Sequence, residues 1–497
     1  MRIGIIGAGV AGLATAKVLQ QAGHDVVIVD RAPDVGGVWS RTRRYPGLST
    51  QSPGAQYSLS DFPMPKSYPE WPSGQQVQAY LEAYAAHFDV RPLLETEVVE
   101  ADRRDDGWEL ALNGPAGPSS ERVDHLVVAN GIFCEPHVPS YEGIEEFRAA
   151  GGRLIAGTEL HDVEDARDKH VLVVGYGKSA CDVTVPLSEV AASTDVIARN
   201  LLWKVPRKIG GLLNFKMLLL TRMGEALFRY RHLRGVERFL HGPGNRIRRN
   251  MLNSVGSISV RQFHLADLDL VPPGAMEDIV KGAIGLATEG FFEGVREGAI
   301  VVHPGNVIIQ LLEKDGSPYA ELSDGSLLRA DLVVCATGFT QGVPFLSEDV
   351  QASVFDERGN FVLYRQIVPA GVDRLYFNGY NSSFFSPLNA EMAALWIAAD
   401  LAGAVTKPPP TEMRRLAEEQ LAFMDIAVAG HHNRGGKIIP FSLHNADEVL
   451  DDLGLNIGRA TRASHWLNPV APAAYRKITP RLLDRIAQPE HAREGSR

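Results

Sequence analysis

The chain has 497 residues, of which 45% are hydrophobic and 22% are charged. At ~150 residues per domain this length suggests about three domains, and the composition excludes disorder, collagen and a coiled coil as the main state. The three cysteines lack a C-x-x-C pair, which excludes a disulfide framework and argues against a metal ribbon or a dithiol redox centre. We therefore expect a reducing, cytoplasmic compartment.

Charge and hydropathy narrow the range of partners. The net charge of −10 argues against nucleic-acid binding, and no run reaches the ~18 apolar residues that a transmembrane helix needs. The apolar start of the chain contains glycines and leads directly into strand-like sequence. We interpret it as folded core and not as a signal peptide.

The first predicted elements form a βαβ unit. The all-apolar run at residues 3–6 predicts a strand that is buried on both faces of a parallel sheet. Residues 10–22 predict a helix that ends at Gly23, and residues 26–29 predict the next strand.

The turn between the first strand and the helix carries the pattern Gly7-x-Gly9-x-x-Gly12. In a dinucleotide site the first glycine permits a tight turn, the second lets a pyrophosphate approach, and the third lets helix and strand pack closely. Asp30 follows the second strand, where an acid can bind a free ribose hydroxyl. This combination predicts a site for a dinucleotide without a 2′-phosphate.

A second unit of the same kind begins with an apolar strand at residues 171–174. The pattern Gly175-x-Gly177-x-x-Ala180 follows, with a helix that Pro186 should end or kink, so we expect it to be shorter than the first. Arg199 occupies the place that the acid holds in the first unit. An arginine there suits a 2′-phosphate and predicts NADPH, and Lys204 and Arg207 would add to the positive field.

Two further strands echo each other. Residues 125–128 end in Ala-Asn-Gly, and residues 332–335 end in Ala-Thr-Gly. Residues from 375 onwards again predict a strand, a loop and a helix. Two dinucleotide sites in one chain imply electron transfer between two cofactors, which we predict to be FAD at the first site and NADPH at the second. We therefore predict an α/β fold with two Rossmann-like domains, of which the NADPH domain is inserted into the FAD domain.

The predicted division of the chain follows from these echoes and from the linker-like prolines at 408–410. A discontinuous FAD-binding domain takes residues 1–150 and 331–405, an NADPH-binding domain takes 151–330 with a substrate-related helical insertion at about 205–300, and a C-terminal arm takes 406–497. The tail after about residue 488 is polar and is expected to be frayed.

The segment 199–250 is basic within an acidic protein. Its apolar run at 212–220 is too short to span a bilayer, but flanking cations can hold a helix at an anionic surface. Three roles are open for it: peripheral membrane contact through 205–235, a buried helix whose charged flanks pair with the acidic remainder, or a wall of the substrate pocket. The segment has two acids, Glu225 and Glu237, against 13 basic residues at positions 199, 204, 207, 208, 216, 222, 229, 231, 234, 238, 246, 248 and 249.

The order and spacing of six motifs over residues 1–405 resemble those of class B flavoprotein monooxygenases, which are the flavin-containing monooxygenases and their Baeyer–Villiger relatives. Besides the second glycine turn, the segments that carry the resemblance are Gly36-Gly37-Val38-Trp39, Ser60-Asp61-Phe62-Pro63-Met64-Pro65, Gly157-x-x-x-His161, Ala336-Thr337-Gly338-Phe339 and Leu375-Tyr376-Phe377-Asn378-Gly379-Tyr380.

Some positions depart from the family pattern. Asp165 stands where the family fingerprint has an aromatic residue, which is Trp in the Baeyer–Villiger version, and Ile155 stands where it has Phe. The resemblance is therefore strongest to bacterial flavin-containing monooxygenases. Asn130 replaces a Thr, and Gln51 takes the place of an Asn that lies near the reactive edge of the flavin in that family. His161 is expected to order the linker between the domains.

The resemblance implies which residues serve the two cofactors and the reaction. Gln51 is the catalytic candidate, and no metal ligand is expected. The residues implied for cofactor binding, besides those of the two glycine turns, Asp30 and Arg199, are Gly37, Trp39, Val98, Gly131, Lys178, Ser179, Ala336, Thr337, Gly338, Asn378 and Gly379.

The resemblance also implies an activity. An FAD enzyme of this kind consumes NADPH and O₂ and inserts one oxygen atom into a small organic substrate, by N- or S-oxygenation through a C4a-(hydro)peroxyflavin. The alternatives are Baeyer–Villiger oxidation of a ketone and an uncoupled NADPH oxidase. The missing C-x-x-C argues against a flavin disulfide reductase, and the two complete glycine patterns argue against a non-catalytic flavin-binding protein.

Overall fold

The structure is a computed structural model that describes residues 1–281, 285–381, 383–428 and 441–487. The tail after residue 488, which was expected to be frayed, lies outside the described residues. The fold is mixed α/β, as the sequence predicts.

Twenty-three strands occur in the described residues, and many of them are short. They are β1 (Arg2–Ile6), β2 (Asp25–Val29), β3 (Glu97–Arg104), β4 (Gly107–Gly114), β5 (Gly117–Val123), β6 (His125–Val128), β7 (Glu135–Pro136), β8 (Arg153–Ala156), β9 (His170–Val174), β10 (Ser193–Ala198), β11 (Lys204–Val205), β12 (Lys208–Ile209), β13 (Leu213–Asn214), β14 (Gly285–Leu286), β15 (Val301–Pro304), β16 (Ile308–Lys314), β17 (Ser317–Leu322), β18 (Leu327–Arg329), β19 (Leu332–Cys335), β20 (Phe339–Thr340), β21 (Leu363–Tyr364), β22 (Val368–Pro369) and β23 (Leu375–Phe377).

Fifteen α-helices accompany these strands in the same described ranges. They are α1 (Val10–Gln21), α2 (Gly74–His87), α3 (Ile144–Ala149), α4 (Lys178–Ser188), α5 (Lys216–Leu219), α6 (Arg222–Ala226), α7 (Val236–Leu240), α8 (Asn245–Gln262), α9 (Phe291–Glu297), α10 (Glu348–Val354), α11 (Ser386–Leu401), α12 (Pro410–Ala427), α13 (Ser442–Asp452), α14 (Arg459–Ser464) and α15 (Ile478–Ile486).

The first sheet has four parallel strands in the order β2-β1-β6-β23. Ile5 and Val127 pack with the helices α1 and α11, whereas Ile6 and Val128 pack with the antiparallel sheet β3-β4-β5. Both faces are therefore covered, which explains why the strands are apolar throughout. The fourth strand is β23, so the chain returns to this sheet after it has formed the second one.

The second sheet has five parallel strands in the order β15-β10-β9-β19-β8. Val173 and Val334 pack with α4 and α9, and Leu172 and Val333 pack with α3 and the antiparallel sheet β16-β17-β18. The two sheets thus share one layering, with helices on one face and a small antiparallel sheet on the other. The division into domains at residues 150, 330 and 405 stays a prediction.

The helix α4 has 11 residues and α1 has 12, so α4 is the shorter one, as expected. Pro186 does not end it, because the helix continues for two residues to Ser188. The proline has no N–H to offer the carbonyl of Asp182. Gly47 packs against that carbonyl so closely that a β-carbon at position 47 would overlap with it. A neighbouring segment therefore covers the gap in the helix.

The apolar run at 212–220 does not form the single helix that we expected. Gly210 and Gly211 adopt positive φ angles of 62° and 75°, and they turn the chain so that β12 and β13 pair as an antiparallel hairpin. The helix α5 begins only at Lys216, and the side chain of Leu212 is 92% exposed. A glycine pair favours such a turn over a helix.

The basic segment pairs with acids of the remainder of the protein. Arg222 forms an ion pair with Asp447 at 2.6 Å, and Arg248 forms one with Glu277 at 2.9 Å. Lys216 also pairs with an acid of the first half of the chain, Glu70. In the described ranges no helix is long and apolar enough to cross a membrane. Membrane contact through 205–235 stays a prediction.

The C-terminal helices pack on the first sheet's helix layer. Helices α13 and α15 contact α11, and the indole N–H of Trp396 in α11 donates to Asp452 in α13 at 3.1 Å. Arg365 holds the same carboxylate with two hydrogen bonds of 2.8 Å. The described C-terminal residues 441–487 therefore pack against the helix layer of the first sheet.

Two glycines, the third of the first pattern and the second of the second pattern, give a test of packing in the turns. A β-carbon at Gly12 would overlap with the carbonyl oxygen of Gly7, whereas a β-carbon at Gly177 would meet nothing within 4 Å. Gly12→Ala should therefore lower stability by ~1–3 kcal/mol, and the control Gly177→Ala should stay within ~0.5 kcal/mol of the wild type. Melting temperatures of both variants measure this. An unchanged melting temperature for Gly12→Ala would contradict the packing described.

Candidate active site

The two glycine turns have the same backbone geometry. The N–H of Gly7 donates to the carbonyl of Val29 at 2.8 Å, and the N–H of Gly175 donates to that of Ile197 at 3.0 Å. Both glycines have positive φ angles, 108° and 129°. Each turn therefore needs glycine at its first position, and each places the start of a helix at the carboxyl edge of a parallel sheet.

This geometry explains why small residues follow β6 and β19, which we call the return strands. A β-carbon at Gly7 would lie 2.5 Å from the carbonyl oxygen of Ala129, and one at Gly175 would lie 2.6 Å from that of Ala336. The return strand thus passes directly beneath each turn. This contact explains why both strands are followed by the same residue type, Ala129 in the first case and Ala336 in the second.

The first turn is open towards a second pair of glycines. Gly9 is the N-cap of α1, and a β-carbon there would meet only the backbone of Gly37, at 3.4 Å. The N–H of Gly36 donates to the carbonyl of Ala8 at 3.1 Å. Gly9 and Gly37 face each other with no side chain between them, next to a helix N-terminus that favours an anion.

Asp30 lies beside the same turn. Its carboxylate accepts hydrogen bonds from the backbone N–H of Ala8 at 2.6 Å and of Ala32 at 2.8 Å. These bonds fix the carboxylate at the end of β2, next to the glycines. The position is the one that the sequence predicts for the acid of a dinucleotide site.

The second turn is more open, but two of its predicted residues are engaged elsewhere. Lys178 pairs with the carboxylate of Asp182, one helical turn later, and the hydroxyl of Ser179 accepts a hydrogen bond of 2.7 Å from Tyr45. Ala180 is fully buried. The uncovered part of this turn is the backbone at Gly177.

The three cations after β10 have different surroundings. Arg199 is exposed and makes no hydrogen bond or ion pair with any residue that the structure describes. Lys204 is buried and donates to the carbonyl of Tyr176 at 2.7 Å, and Arg207 lies over the ring of Trp71 at 4.9 Å. The ammonium group of Lys204 is therefore already bound within the protein. Its contacts do not support the expectation that it adds positive charge around a 2′-phosphate.

One stretch of chain joins the two turns, and we call residues 36–57 the connecting segment. It begins at the glycine pair of the first turn, and it reaches the second turn where Tyr45 bonds Ser179 and where Lys178 lies 3.5 Å from the hydroxyl of Ser49. The sequence motifs did not reveal Ser49, because its role depends only on this contact across the fold.

Gln51 lies in the connecting segment and is half-buried. Its side-chain oxygen accepts a hydrogen bond of 3.3 Å from the backbone N–H of Leu286. Its neighbour Ser52 donates to the carbonyl of Phe384 at 2.6 Å. The segment around Gln51 is thus held from the second-sheet side and from the first-sheet side at once.

Two buried oxygens have no hydrogen-bond partner among the described residues: Oγ1 of Thr50 in the connecting segment and Oδ1 of Asn378 after β23. The amide nitrogen of Asn378 is engaged, because it donates to Thr15 at 2.8 Å and to the carbonyl of Ala390 at 2.9 Å. Buried polar atoms are nearly always bonded in proteins. Each of these two oxygens is therefore able to accept a hydrogen bond from a bound group or from water.

The return-strand turns are tied to their surroundings. Thr337 donates to the carbonyl of His137, and the carbonyl of Gly338 accepts from the N–H of the same residue at 2.9 Å. Gly131 has a φ angle of 80° and open space where a β-carbon would stand. Gly379 lies against α1, where its β-carbon would meet that of Ala11 at 2.8 Å.

Two predicted cofactor residues have mainly structural contacts. Val98 is buried in β3 within the hydrophobic core below the first sheet, so its side chain is not available to a ligand. The indole N–H of Trp39 donates to the hydroxyl of Tyr57 at 3.2 Å, which links both ends of the connecting segment. His161 lies 3.4 Å from the carbonyl of Arg44, between the second sheet and the same segment, where the linker role was expected.

A narrow cavity opens beside Phe384, and we call it the apolar chamber. Its walls come from β11, α5, α6, α8 and the start of α13, and they are almost wholly aliphatic and aromatic. The sequence placed substrate selection in residues 205–300, and most of the lining lies in that range. The lining includes Val205, Leu252, Val255, Phe384 and Glu225.

A buried charge cluster closes one end of the apolar chamber. His444 bonds Glu225 with one ring nitrogen and Glu237 with the other, the latter at 2.7 Å, and its ring stacks on Tyr230 with 4.1 Å between centroids. Burial alone would lower the pKa of His444, but the charges and hydrogen bonds of the two carboxylates outweigh it and raise the pKa to about 10. The imidazolium therefore clamps α6 and α7 to α13.

Comparison with known proteins agrees with this geometry. Residues 1–237 match the model of the flavin-binding monooxygenase-like family. The chain is 26% identical to flavin-containing monooxygenase 1 of Rattus norvegicus over 439 residues, which are 84% of this chain and 77% of that protein. It is 28% identical to the probable indole-3-pyruvate monooxygenase YUCCA3 of Arabidopsis thaliana over 353 residues, 69% of this chain and 74% of that protein.

A solved structure shares the fold. Cyclohexanone monooxygenase from Rhodococcus sp. Phi1 bound to NADP⁺ superimposes with a TM-score of 0.65 at 18% identity, over 91% of this chain and 98% of that one. This likeness shows a shared fold, and the sequence matches define the class: the chain belongs to the class B flavoprotein monooxygenases. The protein is an enzyme of that class, a flavin-dependent monooxygenase.

The clamp at His444 predicts a pH dependence of stability. A pKa raised from 6.5 to about 10 in the folded state means that the contribution is complete below pH ~6.5 and is lost as the pH rises to about 10. Thermal melts between pH 6.5 and 10 should show a loss of ~2–4 kcal/mol that His444→Gln removes. The exposed His232→Gln serves as the control. An identical pH profile for His444→Gln and wild type would refute the clamp.

Proposed function

We propose that the enzyme binds FAD at the first glycine turn and NADPH at the second, and that it transfers one oxygen atom of O₂ to a small organic substrate by N- or S-oxygenation. The observation that carries this proposal is the pair of equivalent turns at Gly7 and Gly175, joined by the connecting segment with Gln51 between them. Two dinucleotide sites facing one segment suit a transfer of electrons from one cofactor to the other.

The residues at the first turn fit FAD. The facing glycines Gly9 and Gly37 leave room for a pyrophosphate on the N-terminus of α1, and Asp30 would hold a ribose hydroxyl. The unpaired buried oxygens of Thr50 and Asn378 would bond polar edges of the cofactor. When bound, the flavin supplies the redox chemistry and the reaction with O₂.

The residues at the second turn fit NADPH. The backbone at Gly177 is uncovered at the N-terminus of α4, where a pyrophosphate would be stabilised. Arg199 has a free guanidinium one strand away, as a 2′-phosphate requires. The family uses NADPH, and NADP⁺ is bound in the related cyclohexanone monooxygenase.

The connecting segment has two tasks in this proposal. It covers the space between the turns with buried residues such as Thr50 and Ser52, and so it keeps water from the reacting groups. Gln51 would present its amide there and hold a polar atom of the flavin or of the nicotinamide. Both tasks are those of positioning and shielding, which a cofactor enzyme leaves to the protein.

A contact favours N- or S-oxygenation over Baeyer–Villiger oxidation. Asp165 stands where the Baeyer–Villiger fingerprint has Trp, and it lies 3.5 Å from Arg153 in an exposed ion pair. An aromatic side chain that would distinguish the ketone-oxidising branch is therefore replaced by a solvated charge.

Arg199→Ala tests the second site. The guanidinium can make a charge-assisted hydrogen bond to the 2′-phosphate, of a kind that contributes ~1.5–3 kcal/mol, which corresponds to about a 10- to 150-fold preference in kcat/KM for NADPH. The variant should lose most of this preference and keep its activity with NADH, and Arg199→Lys should retain part of it. Steady-state kinetics with both cofactors measure the ratio. An equal loss with NADPH and NADH would assign Arg199 another role.

Gln51→Ala tests the reaction itself. The wild type, supplied with NADPH, O₂ and a screen of amines, sulfides and ketones, should give an oxygenated product, whereas an uncoupled oxidase would give only peroxide. The variant should keep FAD and its reduction by NADPH but release more peroxide per NADPH, because a positioning amide is lost. Gln21→Ala, on the exposed side of α1, is the control. Unchanged coupling in Gln51→Ala would remove Gln51 from the active site.

A further inference from the structure

Arg207 and Trp71 bring two buried hydrogen-bond donors together. The guanidinium of Arg207 lies over the indole ring of Trp71, with 4.9 Å between its central carbon and the ring centroid. Nε of Arg207 and Nε1 of Trp71 are both buried, and neither has an acceptor among the described residues. Each of these nitrogens can only donate, and buried donors are nearly always bonded in proteins. The pair is therefore open to an acceptor, either from a bound group or from water.

The charge of Arg207 is only weakly neutralised. One terminal nitrogen forms an ion pair of 3.0 Å with Glu289, but the side chain of Glu289 is 85% exposed, and an exposed ion pair contributes little. A second cation, Lys178, lies 3.5 Å from the hydroxyl of Ser49, but its charge is paired with the buried carboxylate of Asp182. The positive charge that remains beside the two donors favours an anion over a neutral acceptor.

The guanidinium of Arg207 is tied to the part of the chain that carries Gln51. Its other terminal nitrogen donates to the hydroxyl of Ser49 at 3.3 Å. Ser49 lies two residues before Gln51, so at most ~7 Å of extended chain separates their Cα atoms. On the other side, β11 ends two residues before Arg207 and pairs with Leu286 of β14, whose N–H donates to Gln51 at 3.3 Å. Two independent contacts therefore place the cation close to Gln51.

We propose that Arg207 and Trp71 bind the carboxylate of the substrate, so that the enzyme oxygenates a small organic acid. This inference rests on the proposed function and deepens it, because it names the charged group that the substrate carries. The two oxygens of a carboxylate can accept from the guanidinium and from the indole at the same time, and a hydrogen bond between ionised partners is stronger than one between neutral groups. The phosphates of NADPH offer the same acceptor chemistry, and the experiment below separates the two sources.

Binding to the oxidised, FAD-loaded enzyme tests the carboxylate without turnover. The probes are (methylthio)acetate and (methylthio)acetamide, which are nearly equal in size and differ by one charge. Calorimetry should give a Kd at least ~10-fold lower for the acid, which corresponds to ~1.4 kcal/mol. With NADPH and O₂, kcat/KM for sulfoxide formation should show the same preference. In that reaction the O–O bond breaks, one oxygen atom forms the S–O bond, and the other leaves as water, with two electrons and one proton from NADPH and one proton from solvent.

Two substitutions test the two donors. Arg207→Gln should abolish the preference for the acid and leave binding of the amide within about twofold of the wild type, because only the acid pairs with the charge. Trp71→Phe keeps an aromatic ring beneath the guanidinium but lacks the N–H, and it should reduce the preference by ~3-fold or more. Lys208→Gln is the matched control, since it removes the same charge from the next residue, whose side chain is exposed. It should keep the preference of the wild type.

Binding of NADPH separates the substrate from the cofactor as the source of the anion. In Arg207→Gln the Kd of NADPH should stay within about threefold of the wild type, and a larger rise would assign Arg207 to the dinucleotide. Arg199→Ala should leave the preference for the acid unchanged.

Equal binding of acid and amide by the wild type would overturn the inference and leave the two donors to water. A preference that persists in both Arg207→Gln and Trp71→Phe would overturn it as well. A flavin that NADPH does not reduce, or a reduced enzyme that forms no sulfoxide, would instead count against the proposed function. The calorimetric comparison would still decide whether Arg207 and Trp71 bind a carboxylate.

Discussion

The candidate active site depends on one backbone contact that occurs twice. At Gly7 and at Gly175 the chain turns so closely over the return strand that a β-carbon would lie within 2.5 and 2.6 Å of a carbonyl oxygen. Only a residue without a side chain permits this approach at a positive φ angle. Because strand, turn and helix meet there, the N-termini of α1 and α4 stand at the carboxyl edges of their sheets, where an open parallel sheet binds ligands.

The parts of this arrangement that arise from local patterns could be predicted from the sequence. Buried parallel strands are short apolar runs, so β1, β2, β9 and β10 were expected close to where they lie. The glycine patterns indicated their turns for the same reason. Even the echo between the two return strands was visible, although its cause, the contact beneath each turn, needed the structure.

The other features of the fold and the candidate site depend on contacts between residues that are distant in the sequence, so no local sequence pattern indicated them. The apolar run at 212–220 matched a helix by composition, but the preceding Gly210 and Gly211 turn the chain into a hairpin. Likewise, Lys178 occupies the sequence position of a cofactor residue, but in the fold it forms an ion pair with Asp182. A motif states which residue types are present, and the neighbours that compete for their hydrogen bonds come from elsewhere in the chain.

The motif at residues 60–65 has a structural role that depends on contacts with distant residues. Asp61 pairs at 2.5 Å with Lys17, whose side chain is only 1% exposed within α1. Ser60 bonds the buried carboxylate of Glu391 in α11 with both its N–H and its hydroxyl, at 2.9 and 2.6 Å.

Both pairs hold the chain that follows the connecting segment against the two helices of the first sheet. Burial raises the pKa of Glu391, and the nearby charge of Lys17 opposes that rise. A charge removed from this cluster would leave a buried partner unpaired, which is far more costly than the loss of a surface ion pair. The motif therefore fixes the chain directly after the connecting segment, while the contacts of Tyr45 and Ser49 with α4 fix the middle of that segment.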